Sequence, residues 1–254
     1  MGRRLVMVVL VLCVMAVGPS LLAQEAAPKE CAWHYELSLF LWGSGLSGTA
    51  GPAANQLQVT ESFSGLVGYL DMAFMGHFQA SSGKWSILFD PYYVDLGDDT
   101  VLGDGSPAHI DMKDTILNLA GGYRLYQGAK TSFDLTFGMR YNELRTVITS
   151  DIYPSQHKTI NWLDPVMGFK GGVELGKTWS FGYRADVGGF GFGSRLTWSG
   201  DVLFNVKLSK VCSLSMGYLY YDVDYTEGGG PSDPEAFVYD MAQAGPVLGV
   251  TFRW

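Results

Sequence analysis

Cysteine is nearly absent from this sequence. Of the three present, Cys13 lies in an N-terminal apolar run, and Cys31 and Cys212 lie beyond it. Two are too few for a disulfide scaffold. They could pair, since both fall at expected strand ends on the same side, or remain separate thiols. Charge is also scarce, at 17% of residues, and positive charge most of all: 17 Lys and Arg stand against 25 Asp and Glu. Without Arg3 and Arg4 the balance falls from −8 to −10 by the same count, which argues against a nucleic-acid partner. No later stretch stays apolar for the roughly 18 residues of a spanning helix. The stretch GGFGFGS, residues 188–194, carries no lysine and joins two expected strands, so it is no phosphate loop.

Aromatics and glycine are plentiful: 14 Tyr, 14 Phe, 7 Trp and 33 Gly. The N-terminus pairs Arg3 and Arg4 with an apolar run from Leu5 to Val17, a Gly18-Pro19-Ser20 break and a small Ala23. That layout predicts a secretory signal peptide over 1–23, followed by a short periplasmic tail over 24–32. Cys13, inside the apolar run, argues against a lipoprotein anchor. Beyond the tail the chain alternates. Phe133, Leu135, Phe137, Met139 and Tyr141 share one face, with Asp134, Thr136, Gly138 and Arg140 on the other. Trp179, Phe181 and Tyr183 oppose Ser180, Gly182 and Arg184 in the same way. At the C-terminus, Val250, Phe252 and Trp254 carry the pattern to the last residue.

Period-two alternation predicts strands but fits both a soluble sandwich and a membrane barrel. Loop lengths separate the two. Ten strands are expected, over 33–43, 71–80, 84–96, 108–126, 131–149, 164–176, 178–188, 195–208, 211–225 and 237–254; eight or twelve remain alternatives. Their connections alternate between short turns (SSG, QGAK, GK, SK) and longer acidic or glycine-rich loops. Short turns on one side and long loops on the other mark an outer-membrane barrel. Trp85, Trp179 and Tyr126 fall near the short turns, as an interfacial girdle would. Residues 57–71 fit a short strand, a helical turn over the mouth or a plug.

The stretches KWSILFDPYYVDLG, WLDPVMG, RADVGGFGFGSRLTW, GYLYYDVDY and GPVLGVTFRW resemble Gram-negative outer-membrane β-barrel proteins, of a widespread and largely uncharacterised group of small barrels. The likeness extends over most of the chain beyond the signal peptide. It implies an all-β, antiparallel up-and-down transmembrane barrel in one domain, 33–254, in the bacterial outer membrane. It also implies that Trp254, Phe252 and Val250 form a signal read by the barrel assembly machinery. In that group arginine usually follows the Gly-Tyr pair, whereas here Leu219 follows Gly217-Tyr218, which removes one lumen charge.

Alternation directs Glu36, Asp90, Asp114, Asn118, Arg124, Asp134, Arg140, Lys170, Glu174, Arg184, Asp186, Asp201, Asn205 and Lys207 inward. Charges this close together must be paired or hydrated. Paired, they form a stiff polar core in a structural or interaction barrel with acidic extracellular loops. Hydrated, they line a small porin-like channel for ions or polar solutes. A rim hydrolase is the third reading, built on His109 and Asp111 facing Asp222 and Asp224, but alternation turns all four outward. Ser155 and His157 with Asp151 are a similar loop constellation, with a solvated loop as the plain account. Asp98, Asp99 and Asp104 lack a calcium-loop pattern, and His34 and His77 have no partners at metal spacing. No catalytic, cofactor or metal residue is assigned. Expected partners are outer-membrane lipid and lipopolysaccharide, periplasmic chaperones and the assembly machinery.

Overall fold

The computed structural model describes residues 32–254, apart from 102–103, 151, 229–232 and 234–235. The expected signal peptide, the tail up to residue 31 and Cys31 lie outside the described residues, as does Asp151. The first elements are strands β1 (His34–Trp42), β2 (Gly45–Pro52) and β3 (Leu57–Glu61), then a short helix α1 (Phe63–Leu66) and a 3-10 turn over Val67–Tyr69. Nine strands follow: β4 (Leu70–Ser82), β5 (Trp85–Val101), β6 (Pro107–Gln127), β7 (Thr131–Ser150), β8 (Gln156–Glu174), β9 (Trp179–Gly188), β10 (Leu196–Lys207), β11 (Cys212–Glu227) and β12 (Phe237–Arg253).

Strands β4–β12 pair antiparallel in chain order, β1 pairs with β4, and β12 returns to β1. The result is the closed ten-stranded barrel that the alternation predicts. Closure gives each of the ten barrel strands a bonded neighbour on both sides, which a strand in lipid requires. The turns 83–84, 128–130, 175–178 and 208–211 share one end with both described chain ends, and the longer connections occupy the other. Outward residues such as Leu41, Phe74, Ile87, Phe137, Met167 and Leu248 are exposed to the surroundings. They make the apolar band that meets lipid.

Two strands run well beyond the bounds of the sequence reading. Strand β8 begins at Gln156 rather than 164, and β5 runs on to Val101. Both extensions carry polar residues above the apolar band, where alternation carries no hydrophobic signal. The long connection expected over 44–70 holds β2, β3 and α1, so residues 57–71 form a strand, a helical turn and the start of β4. Strand β2 prolongs β1 along β12 in one continuous register: Trp42 faces Val247 and Gly45 faces Ala244. On its other side β1 pairs with β4 only up to Phe40 opposite Met75, and above that β2 pairs with β3 instead. Among the described residues β3 bonds to β2 alone, so the wall between β3 and β5 is interrupted.

Candidate functional site

Strand tilt brings inward side chains of non-neighbouring strands together, and these contacts show what the lumen contains. The fourteen expected inward residues all have partners there. Arg184 on β9 donates to Asp90 on β5 (2.7 Å) and to Asp201 on β10 (2.8 Å). Asp90 also meets the His77 imidazole. Arg140 on β7 donates to Asp186 (2.6 Å), Asn118 (2.7 Å), Thr197 (3.0 Å) and Ser199 (3.3 Å). Its guanidinium also lies over the Tyr221 ring, 5.1 Å from the centroid. Arg124 grips Asp134 in bidentate fashion at 2.5 and 3.1 Å, the strongest geometry for such a pair. Lys170 stands 3.9 Å from Asp134 and donates to Gln79. Ser215 donates to Asn205 (2.6 Å), and Gln243 to Asp114 (2.8 Å).

At the short-turn end, Glu174 pairs with Lys207 and Glu36 with Arg253, each at 2.7 Å. A cavity of about 340 Å³ lined by Glu36, Arg124, Lys170 and Arg253 opens there. Gln79, Thr197, Ser199, Gln243 and Arg253 are partners of these residues and were not in the inward set. Their parity was readable from the same alternation.

The other half of the lumen differs from the uniformly polar interior expected. Ile116, Ile160, Trp162, Tyr221, Val223, Tyr225, Tyr239 and Met241 form one buried cluster. The Trp162 and Tyr225 rings stack at 4.1 Å, and Tyr221 donates to Asn142 at 2.7 Å. These residues continue the inward parity above the charged layer, but apolar residues facing the lumen look like lipid-facing ones in a sequence. Within this half Asp164 is fully buried. It accepts from the Ser194 N–H (2.6 Å), the Ser194 hydroxyl (2.8 Å) and the Trp162 indole (3.0 Å). WLDPVMG and RADVGGFGFGS therefore meet at one carboxylate. The glycines allow the approach: a Cβ on Gly193 would lie 2.6 Å from the Leu163 carbonyl oxygen and 2.7 Å from Asp164 Oδ1.

The outer face above the apolar band repeats one device three times. Tyr93 donates to Asp95 (3.0 Å), Tyr141 to Glu143 (2.6 Å) and Tyr220 to Asp222 (3.0 Å), each two residues along the strand. Trp85, Trp179 and Tyr126 are exposed near the opposite rim, so amphipathic rings mark both borders. His109 and Asp111 lie on this outer face, where His109 bonds Asp99 at 2.8 Å. Asp224 is engaged by Arg195. The four residues of the rim-hydrolase reading thus do not converge on the lumen. Asp71, Asp95 and Asp111 do approach one another, with Lys113 already 2.7 Å from Asp95. Asp104 accepts from Tyr153 (2.5 Å) and the Ser106 N–H (3.0 Å), and these bonds hold its carboxyl at about 2. Asp99 and Asp104 therefore serve different partners. Ser155 and His157 are exposed at the start of β8.

The Asp99 hydrogen bond, with Asp111 beside it, raises the His109 pKa above its ordinary value of 6.5. A raised folded-state value means that the proton favours the folded rim below about pH 6.5, and that this preference is lost as pH climbs through the folded value. In an NMR titration His109 should titrate above 6.5, with Asp99→Asn lowering the midpoint. A parent midpoint at or below 6.5 would contradict the pairing.

No family model and no curated protein matches the sequence. Solved structures match the fold. The outer membrane protease OmpT of Escherichia coli aligns over 91% of this chain and 100% of its own, at 9% identity and a TM-score of 0.58. Lower on the scale are the translocator domain of the autotransporter NalP from Neisseria meningitidis (12% identity, 100% and 98% coverage, TM-score 0.42) and the attachment invasion locus protein Ail of Yersinia pestis (8%, 87% and 98%, 0.39). The likeness to OmpT, at this identity, extends to architecture and not to chemistry. The chain has the fold of the bacterial outer-membrane β-barrels.

Proposed function

We propose that this protein is a non-enzymatic structural or interaction barrel of the outer membrane, presenting its longer acidic connections to the exterior. One observation carries the reading. Above a layer of paired charges, the lumen is filled by side chains less than one-tenth exposed, Trp162, Tyr221, Tyr239 and Met241 among them. A ten-stranded barrel is near the size that side chains can fill, whereas porin lumens are wide and polar throughout. Lipid and lipopolysaccharide are its surroundings in this reading, and chaperones and the assembly machinery deliver it, with Val250, Phe252 and Trp254 as the address.

The test is single-channel conductance of the refolded protein in a planar bilayer. Inserted protein should give no discrete steps. Reproducible steps whose ion selectivity shifts with Lys170→Glu would overturn the reading in favour of a small channel.

A further inference from the structure

Beside the interrupted wall lies a second, smaller cavity of about 90 Å³ in the upper half of the barrel, lined by Trp42, Phe63, Leu70, Tyr92 and Gln243 among others. Its lining is mostly apolar, yet two of the residues that line it each carry a polar atom without a partner. The Trp42 indole N–H and the Gln243 amide oxygen are buried without a hydrogen-bond partner. Gln243 is only 5% exposed. Its amide nitrogen donates to Asp114 at 2.8 Å, and a carboxylate can accept only from that nitrogen, so the oxygen is left as the free end. Buried polar groups are almost always paired. One unsatisfied donor and one unsatisfied acceptor at a single apolar cavity specify what is missing: a group that both accepts and donates.

We propose that this cavity binds a small apolar alcohol, its hydroxyl accepting from the Trp42 indole and donating to the Gln243 oxygen. The enclosed volume is below the roughly 150 Å³ that holds a benzene. It therefore takes the hydroxyl end and a few carbons, and the rest of the molecule lies in the opening. That opening exists. Phe63, Val67 and Leu70 line the cavity and are also exposed, where α1 and the 3-10 turn lead into the first residue of β4. The outer face on either side of the opening changes from Phe74 to Asp71 and from Phe89 to Asp95, so it stands at the outer border of the apolar band. An alcohol dissolved in the outer leaflet meets it hydroxyl-first.

The experiment is NMR of the Trp42 indole N–H in the refolded barrel, assigned with Trp42→Phe, during titration with 1-hexanol and, separately, hexane. Hexanol should shift this one resonance among the seven tryptophans saturably, and hexane should not. Gln243→Leu should weaken hexanol binding at least tenfold. Leu70→Phe, which enlarges a side chain lining the cavity and adds no indole, should also weaken the shift and serves as the second variant. Equal response to hexane, a shift common to all indoles, or an indole saturated by bound water that hexanol does not displace would each overturn the proposal. The readout is the Trp42 resonance rather than conductance, so this site and the closed lumen stand or fall separately.

Discussion

Arg140→Met is expected to lower the stability of the folded barrel by about 3–5 kcal/mol, the usual cost of stranding one member of a buried ion pair. Arg140 is 2% exposed, and its contacts reach Asn118, Asp186, Thr197, Ser199 and the Tyr221 ring. One side chain on β7 thereby ties together β6, β9, β10 and β11. Removing it leaves the Asp186 carboxylate with Ser199 as its remaining donor. Urea unfolding in detergent, followed by tryptophan fluorescence and gel mobility, measures the loss. Adding Asp186→Leu should recover part of it, because the abandoned charge goes too. Arg140→Lys should recover little, since an ammonium cannot span acceptors arranged for a planar fork. An Arg140→Met barrel within about 0.5 kcal/mol of the parent would mean that the network contributes nothing to stability.

Asp164→Ala is expected to cost about 3 kcal/mol, because hydrogen bonds to a charged acceptor contribute about 1.5–3 kcal/mol each and the abandoned donors stay buried. It should also release the connection between β9 and β10. That connection, 189–195, is bound to Asp164 through both the N–H and the hydroxyl of Ser194, while Phe190 and Phe192 project outward. Hydrogen exchange at the Ser194 amide should be slow in the parent and fast in the variant. Unchanged exchange would show that the glycine-rich turn holds itself without the carboxylate. Ser194→Ala separates the contributions: it removes the hydroxyl bond but keeps the backbone one, so the loss should be smaller.

Strand number, closure and the two faces of each strand were legible because lipid on one side and paired charges on the other impose opposite chemistry at successive residues. Asp134, Arg140 and Arg184 could be placed inside by parity alone. Some of their partners stand directly opposite in register, Arg124 to Asp134 and Asp201 to Arg184. The contacts of Arg140 with Asp186 and of Arg184 with Asp90 instead cross the lumen from β7 to β9 and from β9 to β5, and have no trace in either strand. Where both faces of a strand are alike, the signal fails. Gln156–Asn161 is mostly polar and extends β8 unseen. Gly45–Pro52 has no large alternating side chains and is held by the backbone of β12. The upper lumen failed for the converse reason: Ile116, Trp162 and Val223 are apolar on the inner face, so a search for charge passed over them. Asp164 was missed although WLDPVMG and RADVGGFGFGS were both noted, since a contact between two motifs 30 residues apart has no signature in either.

The single register that β1 and β2 share along β12 has a kinetic consequence. Glu36 meets Arg253 and Ser38 meets Thr251 across separations of 217 and 213 residues, whereas the pairs from β4 to β12 join consecutive strands. The hairpins from β4 to β12 can form from local contacts, but the seam requires almost the whole chain to be in place before its first bond is gained. Non-local pairing of this kind is slow because loop entropy is spent before contacts repay it. The last strand must therefore wait, with one edge open, for the first. Once their register is found, it is fixed from Glu36 to Pro52 in one step, so the event that seals the membrane wall also anchors the hairpin standing above it.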